Sequence, residues 1–169
     1  MNVATEGLSS SCMPPAGKLE RLWIDAQEWG LRRMDRLQAG RAPVTAPHLV
    51  TGLLGERATL FELRRRGIIV VARRWTSAKV RGDLDLVGWD GDCLCFVEVK
   101  TRTAHDMTPA ESQVDEYKRN MLRDLARTYL RSFPEKERRM IPVRFDIVSV
   151  YLIGGAIEFE FFPSAFGWQ

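Results

Sequence analysis

Two periodicities of apolar residues divide the chain into predicted helices and strands. Over residues 18–38 the apolar positions recur on one helix face, at Leu19, Leu22, Trp23, Ala26 and Trp29. A second helix is predicted over Leu53–Arg66, because Gly67 follows it at the usual C-terminal position. The simpler expectation for the first helix is that its apolar stripe packs on the chain's own core. The alternative is that Trp23 and Trp29 face a second subunit.

Short apolar runs separated by turn residues predict five strands. They are Ile68–Arg73, Asp83–Trp89, Cys93–Lys100, Val143–Ile153 and Ala156–Phe161. Turn residues at 90–92 and at 154–155 predict two hairpins. A capping box at Thr108 begins a predicted helix that runs to Arg131, with an expected buried stripe of Val114, Tyr117, Met121, Leu125 and Tyr129. This order predicts a layered α/β domain with a mixed sheet, because two connections are hairpins and one is a helical crossover.

Composition and charge are those of an ordinary globular domain. The chain has 169 residues, 45% hydrophobic and 28% charged, and its net charge of +3 permits a polyanionic partner without requiring one. The composition predicts a disordered tail at residues 1–17, a helix and linker at 18–50 and the folded domain at 51–169.

No apolar run reaches the about 18 residues of a membrane span, which favours the cytoplasm. Cys93 and Cys95 are accordingly expected to be reduced and buried.

Glu98 lies in a predicted strand that is apolar on both faces, where an unpaired carboxylate would be costly. Lys100 is its neighbour on the same face, so an ion pair within the strand is the simple explanation. Asp85, between two leucines of the preceding strand, is the second unusual carboxylate, and pairing with Arg81 would explain it. The hairpin register decides whether the two carboxylates meet. A two-residue loop within residues 90–92 places both on one face, whereas a three-residue loop separates them.

Two facing carboxylates predict a cation between them, because their charges otherwise repel, and oxygen ligands of this kind suit Mg²⁺ or Mn²⁺. A lysine beside such a metal can orient water or neutralise charge that develops on a phosphate. Glu56 would add a third carboxylate if its helix packs against the same end of the sheet. The combination of Asp85, Glu98 and Lys100 therefore predicts a site suited to phosphodiester hydrolysis.

These residues resemble the motif of the PD-(D/E)XK nuclease superfamily, which has an acidic residue on one strand and (D/E)-x-K on the next. Over about residues 52–166 the chain resembles in particular the bacterial YraN family of endonuclease-like proteins. The matching stretches are Gly55-Glu56, Gly82 to Val87, Phe96 to Arg102, Lys118-Arg119 and Arg144 to Val148. The chain departs from the family pattern at Asp83, where glutamate is usual, and at Arg74, where asparagine is usual.

The resemblance implies a restriction-endonuclease-like three-layer sandwich with a central mixed sheet of about five strands, similar to archaeal Holliday-junction resolvases. It implies catalytic roles for Glu56, Asp85, Glu98 and Lys100, with the metal ion held by the three carboxylates. Residues 51–169 would then be a nuclease-like domain. The implied function is a metal-dependent endonuclease that hydrolyses DNA phosphodiester bonds, with branched or damaged DNA as candidate substrates. Cleavage of the resolvase type would require a homodimer.

Cationic side chains supply candidate phosphate contacts. Lys118 lies beside a row of arginines spaced every four residues: Arg119, Arg123, Arg127 and Arg131. Further cations flank the carboxylate strands: Arg74, Arg81 and Arg102. A solvated helix face explains the row equally well. Two alternative functions therefore stay open, a catalytically inactive nucleic-acid-binding module with the nuclease fold and a scaffold that binds a partner through its N-terminal helix.

Overall fold

The computed structural model describes residues 14–38, 47–103 and 114–169, which form helices around a single sheet. The helices of this part are α1 (Lys18–Gln38), α2 (Pro47–Arg65), α3 (Glu116–Leu130) and α4 (Glu135–Arg138). The strands are β1 (Ile69–Ser77), β2 (Val80–Asp90), β3 (Cys93–Arg102), β4 (Val143–Ile153) and β5 (Ala156–Phe166). None of the described helices is long and apolar enough to span a membrane.

The sheet has five strands in the order β1-β2-β3-β4-β5. All neighbouring strands are antiparallel except β3 and β4, which are parallel. α3 lies in the connection between β3 and β4, because parallel neighbours need a crossover rather than a tight turn. The mixed sheet flanked by helices confirms the predicted restriction-endonuclease-like α/β sandwich.

Two apolar clusters cover the two faces of the sheet. On one face, Phe96 of β3 and Phe145 of β4 stack with 5.7 Å between ring centroids and pack with Leu122 and Leu125 of α3. On the other face, Leu63 of α2 packs against Leu86, Cys93, Cys95, Val97, Val148 and Val150. Both of these cysteines are free thiols and buried, as predicted.

β1 and β2 are longer than the sequence predicts, and they form a hairpin that the sequence did not predict. β1 continues to Ser77 and β2 begins at Val80, so that a two-residue turn joins them. The Lys79 N–H donates a 3.1 Å hydrogen bond to the Ser77 side chain in this turn. Polar and basic residues fill this stretch, so apolar alternation does not reveal it. Other boundaries also move outward, since α2 begins at Pro47 rather than Leu53, and β5 ends at Phe166 rather than Phe161.

α3 begins at Glu116 rather than at the predicted capping box, which lies outside the described residues. Asp115 has an extended backbone conformation, and its side chain accepts a 2.8 Å hydrogen bond from the Lys118 N–H. Asp115 is therefore the residue that caps the helix. Val114 and Leu125 are fully buried as predicted, whereas Tyr117, also expected in the buried stripe, is 76% exposed.

α1 packs on α2 through its polar side. Arg65 of α2 forms ion pairs with Asp25, at 2.8 Å, and with Glu28 of α1. Ile24 is buried in a small cluster with Phe61 of α2. The predicted apolar stripe is exposed, at Leu19, Leu22, Trp23, Ala26 and Trp29. The expectation that this stripe packs on the chain's own core is wrong, because ion pairing with α2 sets the rotation of the helix.

The predicted tail and linker lie largely outside the described residues, which omit 1–13 and 39–46. Ala16, within the predicted tail, is buried. Its N–H donates a 3.1 Å hydrogen bond to the Arg65 carbonyl at the end of α2. The last residues before α1 are therefore part of the packed structure.

Candidate active site

The β2–β3 hairpin has the register that brings the two predicted carboxylates to neighbouring positions. Its loop is Gly91-Asp92, since Asp90 pairs with Cys93, and the ladder extends to Leu86 opposite Val97. Gly91 has φ 58°, the left-handed conformation that such a tight turn favours. Asp85 and Glu98 are the next residues beyond the last of these pairs. Of the two loop lengths that the sequence left open, the hairpin has the two-residue loop, which is the one that places both carboxylates on one face.

Asp85 lies where β2 and β3 stop pairing, and its side chain replaces the missing ladder contact. Its Oδ2 accepts a 2.7 Å hydrogen bond from the Val99 N–H. The pKa of the Asp85 carboxyl is raised to about 7, first by burial and second by the nearby Glu98 charge. The Val99 N–H and the Lys118 ammonium lower this pKa and only partly offset burial. Asp85 therefore titrates near neutral pH, where part of the population has a protonated, uncharged Asp85 carboxyl.

Glu98 is 4% exposed and both of its carboxylate oxygens face lysines. The Lys100 Nζ lies 2.8 Å from Oε1, and the Lys118 Nζ lies 3.0 Å from Oε2. The ion pair expected within the strand is thus present, and a second cation is added from a different element. Since the buried carboxylate has two counter-charges, the cost of burying it is offset within the site.

Lys118, predicted as a phosphate contact, also lies at the carboxylates themselves, a position that the sequence did not predict. Its position in the first turn of α3 is fixed by the Asp115 cap, and its side chain reaches the sheet at Glu98. The sequence predicts it as a phosphate contact beside the arginine row. One signal in the sequence pointed to Lys118: the stretch Lys118-Arg119 matches the YraN pattern, as the strand motifs do.

Glu56 comes to the site from α2 because the helix approaches β3 closely at the preceding residue. A Cβ on Gly55 would lie 1.9 Å from the Thr101 Oγ1, so only glycine allows this approach. Burial raises the pKa of the Glu56 carboxyl, against the opposing charge of Arg74, whose Nε lies 3.9 Å away. The charge of Glu98 also acts on Glu56. The three predicted carboxylates thus belong to one electrostatic cluster.

A divalent cation fits this donor set as a two-carboxylate site. Asp85 and Glu98 supply the hard oxygen ligands that Mg²⁺ prefers, and Mg²⁺ commonly takes only one or two protein carboxylates beside water and phosphate oxygens. Within residues 14–38, 47–103 and 114–169, no three acidic, histidine or cysteine side chains converge as a metal-binding cluster. Glu56 Oε2 is buried and has no hydrogen-bond partner among these residues. The arrangement therefore favours Asp85 and Glu98 as ligands, with Glu56 beside them.

The predicted phosphate-binding cations divide into buried and exposed groups. Arg123 is buried, and its guanidinium donates to the Gly167 carbonyl at 2.8 Å and to the Glu116 carboxylate at 2.6 Å. Arg102 is also buried, over the ring of Tyr151. These contacts are at odds with phosphate binding by Arg102 and Arg123, because both side chains point into the protein.

The remaining predicted cations are accessible to different degrees. Arg74 and Arg81 are exposed on the β1–β2 hairpin. Arg74 has φ 45°, which is unusual for a residue with a side chain, and it lies 3.8 Å from Asp83. Arg119 is half-buried and donates a 2.8 Å hydrogen bond to the Val114 carbonyl. Arg127 is exposed beside Asp124, so the arginine row is not one continuous surface.

Sequence comparisons place the chain among known relatives. The model of the uncharacterised protein family UPF0102 matches residues 55–150, which contain α2 from Gly55 onward, the β2–β3 hairpin and α3. A UPF0102 protein of Koribacter versatilis (strain Ellin345) is 46% identical over 124 residues, covering 73% of this chain and 84% of the relative. One of Solibacter usitatus (strain Ellin6076) is 45% identical over 121 residues, covering 72% of this chain and 86% of the relative. A UPF0102 protein of Dictyoglomus turgidum (strain DSM 6724 / Z-1310) is 36% identical over 117 residues, covering 68% and 95% respectively. The chain therefore belongs to the UPF0102 family, the YraN-like family that its motifs resemble.

Proposed function

We propose that this protein is a metal-dependent endonuclease that hydrolyses phosphodiester bonds in DNA. The observation that carries the proposal is the meeting of Asp85, Glu98 and Lys100 at the point where β2 and β3 separate. The buried Glu98 carboxylate and the half-buried Asp85 carboxylate, beside a lysine, supply the ligands and the cation that phosphodiester hydrolysis requires. A purely structural ion pair would need neither the second carboxylate nor its raised pKa.

Each residue has a distinct part in the proposed reaction. Asp85 and Glu98 hold the metal ion, Mg²⁺ or Mn²⁺, which when bound polarises the phosphate and lowers the pKa of water. Lys100 is 28% exposed on its side chain, so its ammonium is accessible to the substrate while it contacts Glu98. There it orients the attacking water or balances the charge that develops on the phosphate. Glu56 places a third carboxyl group near Asp85 and Glu98.

The proposed substrate is DNA because accessible cations border the carboxylates. Arg74 and Arg81 lie on the β1–β2 hairpin, and the side chain of Lys118 is partly exposed at the site itself. These side chains suit a phosphate backbone, whose contacts with cations are independent of base sequence. Branched or damaged DNA is the proposed preferred form, and symmetric cleavage of a four-way junction would need two copies of the chain.

Cleavage of a panel of linear, flapped and four-way-junction DNAs tests this proposal. The wild type is compared, with Mg²⁺, with Mn²⁺ and with EDTA, against Asp85→Asn, Glu98→Gln and Lys100→Ala. Matched controls are Asp92→Asn in the hairpin loop and Lys136→Ala on α4, both exposed. All variants are purified in parallel, and their circular dichroism spectra are compared to confirm folding.

Metal-dependent cleavage that is lost in the three site variants and kept in both controls supports the endonuclease. Cleavage that persists in the site variants identifies a contaminating nuclease and contradicts the proposal. Binding of DNA without cleavage, unaffected by Glu98→Gln, instead identifies the catalytically inactive nucleic-acid-binding module.

A further inference from the structure

The Glu98 carboxylate is held by one ammonium on each oxygen, and the two lysines come from different layers of the fold. Lys100 is on the same strand as Glu98, two residues away, so strand geometry alone brings it to Oε1. Lys118 comes from α3 and reaches Oε2 across the packed face of the sheet. Lys118 is therefore positioned by tertiary structure and is not an automatic consequence of the motif.

Lys118 contacts Glu98 and its charge also acts on Asp85, so it neighbours both of the carboxylates proposed to hold the metal ion. Mg²⁺ binds carboxylate oxygens at about 2.0–2.1 Å. The Lys118 ammonium lies 3.0 Å from Oε2, within the contact distance of an ion pair. A dication beside it would also be repelled by its charge, strongly so in a buried site where screening by water is weak. The Lys118 ammonium and a metal ion are therefore expected to compete for the Glu98 carboxylate.

The local structure allows Lys118 to move while its backbone stays fixed. Its N–H is held by the Asp115 side chain at 2.8 Å, which anchors the first turn of α3. The side chain is 25% exposed, so the end of a flexible four-carbon chain has a route to solvent. Lys118 can thus leave Glu98 without unfolding the helix.

We propose that Lys118 is the resident counter-cation of the Glu98 carboxylate and is displaced when a divalent metal ion binds. Lys118 thereby sets the metal affinity of the site. Without metal it compensates the buried negative charge, and with metal its ammonium is released to the exposed side of the site. This inference rests on the proposed metal-dependent function. It makes Lys118 a positioning residue, whose effect appears in metal binding before any DNA is added.

Titration of Mn²⁺ into the full-length protein without DNA, followed by the electron paramagnetic resonance signal of free Mn²⁺, tests this role. Lys118→Met keeps the length of the side chain and removes its charge, and it should lower the Kd for Mn²⁺ by about 10-fold or more, as expected when about 1.4 kcal/mol of competition is removed. Lys118→Arg keeps the charge and should bind Mn²⁺ like the wild type or more weakly. Lys136→Met on α4 removes an exposed charge and controls for the change in net charge.

A thermal melt with and without Mn²⁺ provides a second measurement. Without metal, Lys118→Met should lower Tm, because Glu98 loses a counter-charge, and Mn²⁺ should raise Tm by more than it does in the wild type. An unchanged or higher Kd in Lys118→Met, while the wild type binds Mn²⁺ and Asp85→Asn does not, overturns the role of Lys118 alone. Absence of Mn²⁺ binding in the wild type and in Lys118→Met overturns both this role and the metal-dependent function.

Discussion

The Asp85 carboxylate accepts a 2.7 Å hydrogen bond from the backbone N–H of Val99, immediately after Glu98 in β3. The bond joins β2 and β3 within both strands, just beyond Leu86 and Val97, where their regular pairing stops. It holds one carboxylate against the strand that carries the other, so the acidic pair is built into the hairpin. The same bond favours the charged form of Asp85, yet burial outweighs it and leaves the pKa at about 7.

The first prediction concerns the pH dependence of stability at Asp85. Because the pKa is raised from 3.8 in the unfolded chain to about 7 in the folded protein, the folded state binds the proton more tightly between these values. Stability from this group is therefore present below pH 4 and falls as pH rises to 7. Asp85→Asn removes the charge and keeps an acceptor for the Val99 N–H. At pH 8 it should be more stable than the wild type by about 1–3 kcal/mol, and at pH 5 by much less.

Urea denaturation in EDTA at pH 5, 6, 7 and 8 measures this difference. Asp92→Asn, in the exposed hairpin loop, is the matched control and should show a difference from the wild type that is nearly independent of pH. A constant free-energy difference between Asp85→Asn and the wild type across this range would show that Asp85 is charged throughout.

The second prediction concerns the contact between α2 and β3 that brings Glu56 to the site. Gly→Ala normally stabilises a helix interior by about 0.5–1 kcal/mol. Gly52→Ala should do so, since nothing lies within 4 Å of the added Cβ, whereas a Cβ on Gly55 would overlap the Thr101 side chain at 1.9 Å. Gly55→Ala should therefore reduce the free energy of unfolding by about 1–3 kcal/mol. Urea denaturation of both variants measures the contrast, and stabilisation by both would mean that α2 does not approach Thr101 so closely.

The strand part of the site could be predicted from the sequence because it depends on local geometry. The two-fold alternation of strand side chains puts Glu98 and Lys100 on one face, and a two-residue loop fixes where Asp85 lies. The family resemblance adds Glu56, whose approach depends on Gly55. The strand predictions need no knowledge of distant contacts, whereas the approach of Glu56 depends on the contact of Gly55 with Thr101.

The contacts of α1 and α3 could not be predicted, because the periodicity of a helix shows which residues share a face but not which element that face packs against. Lys118 contacts Glu98 only because Asp115 starts α3 where it does. In the arginine row, Arg123 differs from its neighbours because its guanidinium donates a hydrogen bond to the carbonyl of Gly167, 44 residues later. The orientation of α1 likewise follows from its ion pairs with Arg65. Each outcome depends on a partner far away in sequence.

The third prediction separates a structural from a surface arginine on α3. Arg123 is buried and donates to Gly167 and Glu116, whereas Arg127 is exposed and pairs with Asp124. Arg123→Ala should reduce the free energy of unfolding by about 2–4 kcal/mol, because the packing and the charge-assisted hydrogen bonds of a buried guanidinium are lost. Arg127→Ala should cost less than about 1 kcal/mol. Equal small losses in urea denaturation would place Arg123 in solvent and restore it as a candidate phosphate contact.

The fourth prediction concerns the rotation of α1. Ile24 is 1% exposed beside Phe61, and Leu22, two residues earlier, is 66% exposed. Ile24→Ala should reduce the free energy of unfolding by about 2–4 kcal/mol, because it leaves a cavity between α1 and α2. Leu22→Ala removes a side chain of the same size and should change it by less than about 0.5 kcal/mol, because little apolar area is buried there.

Urea denaturation of the two variants at several protein concentrations completes this test. The matched size of the two side chains makes burial the main variable. A larger loss in Leu22→Ala than in Ile24→Ala would mean that the predicted apolar stripe is the buried face of α1. If that loss also grew with protein concentration, the stripe would be buried against a second copy of the chain, because only an associated state is stabilised by concentration. The expected order, with the larger loss in Ile24→Ala at every concentration, supports packing of the Ile24 side of α1 against α2.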